Sequence, residues 1–265
     1  MKKLFIPLML VLCMVAGCKS EGKMQKTAVS KGEECLKDVS NIVNSNEKWK
    51  CWMNTNFHDS LQHIYGDTSI KVDASGTVAA GTDAIIALLK KKPFAVDSIY
   101  TIKKVKADDR HRFDYEIGGF ITANATYSHL LIWNRSSDNI REFEFIAKVD
   151  KGQNYSIEID KRRARWVVLC NLHDAARLVS ELYSENAVYF SHKPVIIGHE
   201  SITQEYQYMN DPNYQLTLHP ITVQMVNENL AYEIGQCKGT YNGKYMLVWQ
   251  RDEQGIWRIL VDSNI

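Results

Sequence analysis

From Ala231 to Asp262 apolar-rich runs separated by turn residues form the densest structural signal in the chain, the pattern of successive strands. Asn242-Gly243 and Asp252-Glu253-Gln254-Gly255 interrupt the run. Asn-Gly between apolar-rich segments predicts a two-residue type I′ hairpin, because both turn positions need positive φ. Ile256 to Val261 then returns as the last strand. Upstream the pattern changes: Val168, Leu172, Ala175, Val179 and Leu182 recur at spacings of four, three, four and three, which predicts one helical stripe facing a core. A short strand at 187–190, a segment ending at Gly198 and a helix at 200–209 separate the two regions. The first half of the chain runs in the same order. Leu36, Val39, Ile42 and Val43 share a helical face, Trp49, Trp52 and Met53 continue it, and Leu61, Ile64 and Tyr65 follow. A strand at 69–72, a helix at 82–91 and further strands complete that half.

The parallel is also literal. Tyr232-Glu233-Ile234-Gly235 repeats Tyr115-Glu116-Ile117-Gly118 at an offset of 117. Val195 to Ile202 echoes Val78 to Ile85, and Tyr245 to Arg251 echoes His129 to Arg135, in the same order and at nearly the same offset. The chain is therefore expected to be α+β, with two tandem domains at 33–153 and 154–265, each carrying helices on one face of a curved antiparallel sheet. The Asn-Gly turn and the full stripe occur only in the second copy. That copy is expected to be the more regular one, and to fold alone unless the two share a large apolar interface.

Composition adds two constraints. With 45% apolar and 24% charged residues in 265, the chain can bury two medium cores, and a net charge of +1 leaves no global field to gather nucleic acid. Lys90 to Lys92 and Lys161 to Arg165 read as solvated helix ends. Met1-Lys2-Lys3 followed by the apolar run Leu4 to Ala16 reads as an export signal, being too short to span a bilayer. Val15-Ala16-Gly17-Cys18 resembles the lipobox of bacterial lipoproteins. The resemblance implies removal of 1–17, acylation of Cys18, and anchoring in a membrane of the bacterial cell envelope through a polar tether at 18–32. Cys35, Cys51, Cys170 and Cys237 form no framework of spacings and are expected to be free, mostly buried thiols.

Tyr-Ser-Glu-Asn-Ala (183 to 187), Ile-Ile-Gly-His-Glu-Ser-Ile (196 to 202), Ala-Tyr-Glu-Ile-Gly (231 to 235) and Gly-Ile-Trp-Arg-Ile-Leu (255 to 260) resemble the SnoaL-like branch of the nuclear-transport-factor-2-like superfamily. This is the cone-shaped fold shared with ketosteroid isomerase. The resemblance covers nearly all of the second copy and, more weakly, 49–150 of the first. It implies a pocket between helices and sheet, and pairing of the two domains through their sheet faces. It implies no single activity, since enzymes, binding modules and scaffolds share this fold. Matched to ketosteroid isomerase, the base position falls on Ser191 in the second copy and Asp73 in the first. The oxyanion positions fall on Val167 and Leu247, and on Trp49 and Leu131, so that chemistry does not transfer to the second copy, while in the first Asp73 alone could serve as a base.

Weaker catalytic candidates remain: Asp73, which also lies in ordinary turn composition, His173 and Glu233. His58-Asp59 and His173-Asp174 recur at a helix entry, where an Asp is expected to cap backbone N–H groups. Ala231, Glu233, Gly235 and Cys237 share one strand face, and three of them are small, which suits the crowded helix-facing side and turns Glu233 inward. Burial there should raise its pKa unless His173, Arg258 or a backbone N–H offsets it. Glu233, Tyr183 and Trp249 are the candidate ligand contacts. No metal or cofactor motif is present, and none is expected. The expected function is a membrane-anchored lipoprotein that binds a small apolar ligand or a partner without catalysis. An isomerase, dehydratase or cyclase is the alternative, and a purely structural pairing module the third reading.

Overall fold

The apolar-rich runs of each half pair into their own six-stranded sheet in a computed structural model that describes residues 44–55, 58–91, 94–108, 113–135, 139–150, 152–191 and 194–265. The export signal, Cys18, the tether, Cys35, the stripe from Leu36 to Val43, Lys92 and the side chain of His58 lie outside the described residues. In the first unit β1 (Ile70–Val72), β2 (Val78–Ala80), β3 (Ser98–Asp108), β4 (Phe113–Ile121), β5 (Thr126–Asn134) and β6 (Ile140–Lys148) lie in the order β2-β1-β6-β5-β4-β3. In the second, β7 (Tyr183–Tyr189), β8 (Ile196–Ile197), β9 (Leu216–Asn227), β10 (Leu230–Gly239), β11 (Lys244–Arg251) and β12 (Trp257–Ser263) lie in the matching order β8-β7-β12-β11-β10-β9. The pairings β1–β6 and β7–β12 are parallel and the others antiparallel. Helices α1 (Ser45–Asn54) and α2 (Thr82–Lys91) belong to the first unit, and α3 (Ile157–Asn171), α4 (Ala175–Leu182) and α5 (His199–Glu205) to the second. The protein is thus α+β, built as two tandem units of one plan.

Each sheet buries both faces. In the second unit Ala231, Cys237, Leu247 and Trp249 face the helices and pack with Trp166, Leu169, Leu178 and Leu182. The opposite face, with Tyr232, Ile234, Met246 and Val248, packs on Tyr115, Ile132, Phe143 and Phe145 of the first unit, so the two sheets share a third core. The Tyr232 hydroxyl donates to the Ser128 carbonyl at 3.2 Å, and the Tyr115 hydroxyl accepts from the Ile265 amide at 2.9 Å. Polar atoms that would be stranded in that apolar layer are thereby satisfied.

Four expectations are corrected. The stripe through α3 and α4 is not continuous: the chain breaks at His173 (φ 60°), and the phase restarts where Asp174 caps α4 by accepting the Arg177 amide at 2.9 Å. Ala175, Val179 and Leu182 are buried, but Val168 and Leu172 are 46% and 60% exposed, and Trp166, Leu169 and Cys170 form the core face of α3 instead. Asn242-Gly243 makes no type I′ turn, since neither residue has positive φ and the connection spans 240–243. Gly243 serves a close approach, because a Cβ there would lie 2.0 Å from the Tyr241 hydroxyl oxygen. The basic run 161–165 is not a uniformly solvated end, for Arg163 is buried. Cys51 is in a disulfide rather than free, with its partner outside the described residues, whereas Cys170 and Cys237 are free and buried.

Candidate functional site

Both units carry the same polar skeleton inside the helix-facing core. In the second unit the Trp166 indole N–H donates to the Tyr183 hydroxyl at 3.1 Å, and Tyr183 donates to Asp262 Oδ2 at 2.5 Å. In the first, Trp49 donates to Tyr65 at 2.9 Å, and Tyr65 to Glu144 Oε2 at 2.8 Å. A second acid lies deeper along each sheet. Trp249 donates to Glu233 Oε2 at 2.8 Å, and Trp133 to Glu116 Oε2 at 3.0 Å.

The cations that accompany these acids have changed places between the units. Arg163 of α3 forms a two-pronged pair with Glu233, Nε to Oε1 at 2.6 Å and Nη2 to Oε2 at 2.8 Å, and Tyr245 adds a third donor at 2.6 Å. The repeat offset puts Asn46 at that position in the first unit, where it donates to Glu116 at 2.7 Å. The first unit's buried arginine is on β6 instead. Arg141 pairs across the sheet with Trp133 as Ile259 pairs with Trp249. Its guanidinium donates to Glu144 and Asn46, each at 2.7 Å, and lies 4.5 Å and 5.0 Å from the ring centroids of Trp49 and Trp133. Against the upward push of burial, Lys71 and Arg141 hold the Glu144 carboxyl down at about 2.

Asp262, at the position of Glu144, meets no cation among the described residues. Burial pushes its carboxyl up to about 6, and hydrogen bonds from Tyr183 and Tyr206 only partly offset that rise. The Tyr206 hydroxyl donates to the same oxygen as Tyr183. Beside this acid the second unit holds a small cavity of about 20 Å³ lined by Trp166, Tyr206, Leu216, Cys237, Leu247 and Asp262 among others. In the first unit, Phe120 stands at the repeat position of Cys237 and stacks with Phe94 at 5.5 Å and Tyr127 at 5.0 Å in a three-ring cluster. A phenyl ring thus takes the volume that a thiol leaves open.

The candidates named from sequence fall in separate surroundings. Asp73 is exposed in a turn, where its Oδ1 accepts the amides of Ser75 at 2.9 Å and Thr77 at 3.1 Å. His173 occupies the break between α3 and α4, with its Nδ1 3.1 Å from the Met209 carbonyl oxygen. Glu233 is fully buried on the helix-facing side, but the group that compensates it is Arg163, not His173 or Arg258. Arg258 pairs with Asp252 at 2.6 Å. Trp249 adjoins Glu233, whereas Tyr183 belongs to the Asp262 cluster. Sequence reasoning missed Asp262. Strict alternation from Trp257 and Ile259 places Val261 inward and Asp262 outward, but irregular pairing of β12 between Ile259 and Val261 reverses the parity.

No family model matches the chain, and no curated protein does. Among solved structures the chain is similar to a nuclear-transport-factor-2-like protein of unknown function from Shewanella oneidensis. The identity is 17%, over 40% of this chain and 94% of that one, with a TM-score of 0.36. It is also similar to a ketosteroid isomerase-like protein from Erwinia carotovora atroseptica, at 13% identity over 40% and 90% of the two chains and a TM-score of 0.35. A nuclear transport factor 2 superfamily protein from Salmonella enterica matches at 18% identity over 40% and 86%, with a TM-score of 0.33.

Proposed function

We propose that this chain is an exported, lipid-anchored protein of the bacterial cell envelope whose second unit binds a small, largely apolar molecule without transforming it. The first unit, with its interior occupied by stacked rings and a buried arginine, serves as the fixed partner on which the second is mounted. The observation that carries this reading is the exchange of Phe120 for Cys237 at equivalent positions, which coincides with the cavity beside Asp262. Apolar walls with a few convergent polar groups are what a small-molecule site requires. Catalysis is not part of the reading, because Asp73, His173 and Glu233 do not converge on that cavity.

Cys237→Phe tests it by refilling the space. Because a phenyl ring exceeds the small gap, the variant is expected to melt several degrees lower while still folding cooperatively, and to lose saturable binding of small apolar probes followed by tryptophan fluorescence; unchanged binding would refute the site. The anchor rests on the lipobox at 15–18 and is tested by Cys18→Ser, which should abolish membrane partitioning of the mature chain. A variant that still fractionates with membranes would refute the anchor.

A further inference from the structure

A polar cleft opens where the second sheet meets the first unit, and one of its arginines has no carboxylate to answer it. The cleft holds about 660 Å³, within the range of small-molecule sites, and no aliphatic side chain is among its described lining residues. It lies at the junction of the units. Asn186 Nδ2 on β7 donates to the Ser75 carbonyl at 2.6 Å, and Gln250 Nε2 on β11 to the Ala74 carbonyl at 2.7 Å, so a turn of the first unit fixes two of the lining side chains.

Arg251, at the end of β11, lines this cleft with its guanidinium 4.8 Å from the centroid of the Trp257 ring. Its Nε is buried without a hydrogen-bond partner, and no acid pairs with it among the described residues. The first unit shows the pairing that this position can have. Arg135 stands at the repeat position of Arg251, and its Nε lies 3.3 Å from Asp114 Oδ1. Asp114 is opposite Trp133 across the sheet as Ala231 is opposite Trp249, so the second unit keeps the arginine and has a methyl group in place of its acid.

A guanidinium already stacked on a ring loses little freedom on meeting a planar anion, and its two Nη groups match the spacing of carboxylate or phosphate oxygens. Arg258 lines the same cleft. Its Nε donates to Asp252 at 2.6 Å and its Nη1 to the Glu181 carbonyl at 3.0 Å, which leaves Nη2 as a further donor. The remaining carboxylates of the cleft, Glu185 and Glu253, are exposed, where water and salt screen them, and they accept from hydroxyl groups. Ser180, Ser184 and Gln254 add hydroxyl and amide partners.

We infer that the cleft takes a small hydroxylated acid, a molecule whose carboxylate or phosphate meets Arg251 and whose hydroxyl groups meet the amides and carboxylates around it. This is a second site, apart from the cavity beside Asp262, and the failure of either leaves the other standing.

The test titrates gluconate, sorbitol phosphate and sorbitol, which share one kind of hydroxylated body, into the mature protein by calorimetry at neutral pH and low ionic strength. At least one of the two acids is expected to bind about tenfold more tightly than sorbitol, and the tighter of the two tells carboxylate from phosphate. Arg251→Met keeps the stem on the Trp257 ring and removes the charge, so the acid should fall to the level of sorbitol. Arg251→Lys keeps the charge and loses the planar fork. It should weaken the acid while leaving sorbitol unchanged, and it carries the test if melting curves show that Arg251→Met does not fold. Equal binding of sorbitol and both acids would overturn the anion site, as would an acid preference that survives Arg251→Met or is undiminished in Arg251→Lys. Binding of none of the three would overturn the cleft as a site for such molecules.

Discussion

The phenol of Tyr245 lies across the bare backbone of Gly235, so that a Cβ at that position would sit 2.1 Å from its ring. The two residues are cross-strand partners, and the approach lets the hydroxyl reach Glu233 two residues away on the same face. The first unit repeats the device with His129 over Gly118, where a Cβ would lie 2.4 Å from Nε2, and the imidazole reaches Glu116. The repeated Tyr-Glu-Ile-Gly is thus a carboxylate and the gap through which its neighbour arrives. Gly235→Ala should cost about 3 kcal/mol, since the ring must shift and Glu233 loses a donor. Gly255→Ala, at φ 78° but with nothing within 4 Å of the added methyl, should cost only about 1 kcal/mol. Urea melts that rank the two equally would refute the close-approach explanation.

Glu233→Gln should destabilise the chain by about 3 to 5 kcal/mol, because it leaves the guanidinium of Arg163 buried without a countercharge. An uncompensated Glu233 would have made the same change neutral or favourable. Replacing both, as Glu233→Gln with Arg163→Met, should recover much of the loss, and a double-mutant cycle by chemical denaturation measures the coupling. A coupling under about 1 kcal/mol would show that the pair contributes little.

Asp262 makes stability fall as pH rises. Its carboxyl titrates near 6 in the folded chain, above its ordinary value of 3.8, so the native state favours the protonated form. That contribution is complete below about pH 4 and is lost as pH rises through 6, up to about 3 kcal/mol at roughly 1.4 kcal/mol per pH unit. Asp262→Asn should therefore match the wild type near pH 4 and exceed it at pH 8. Parallel melting curves for the two proteins from pH 4 to 8 would contradict the assignment.

The second unit should not fold by itself. Cut at 154–265, it would expose Tyr232, Ile234, Met246, Val248 and Val261, which the first unit's sheet now covers. The fragment is expected to bind a hydrophobic dye and to aggregate. A monomeric fragment with dispersed amide resonances and a cooperative melt would show that the shared core is dispensable.

The amino-acid order alone determined the duplication, the α+β class and the inward turn of Glu233, because these depend on local periodicity and on small residues sharing one strand face. Ala231 and Cys237 join the helix-facing core while Tyr232 and Ile234 join the layer between sheets, as period-two alternation requires. Only the tertiary structure decided which charges meet. Arg163 and Glu233 stand 70 positions apart, and nothing local distinguishes Arg163 from its solvated neighbours until α3 is laid on the sheet. Asp262 escaped for a related reason: one irregularity in the pairing of β12 reverses which residues face inward, and parity along a strand carries no trace of it. The cavity was hidden in the same way, since Cys237 and Phe120 are both legible as buried apolar positions, and only packing shows that one leaves room and the other fills it.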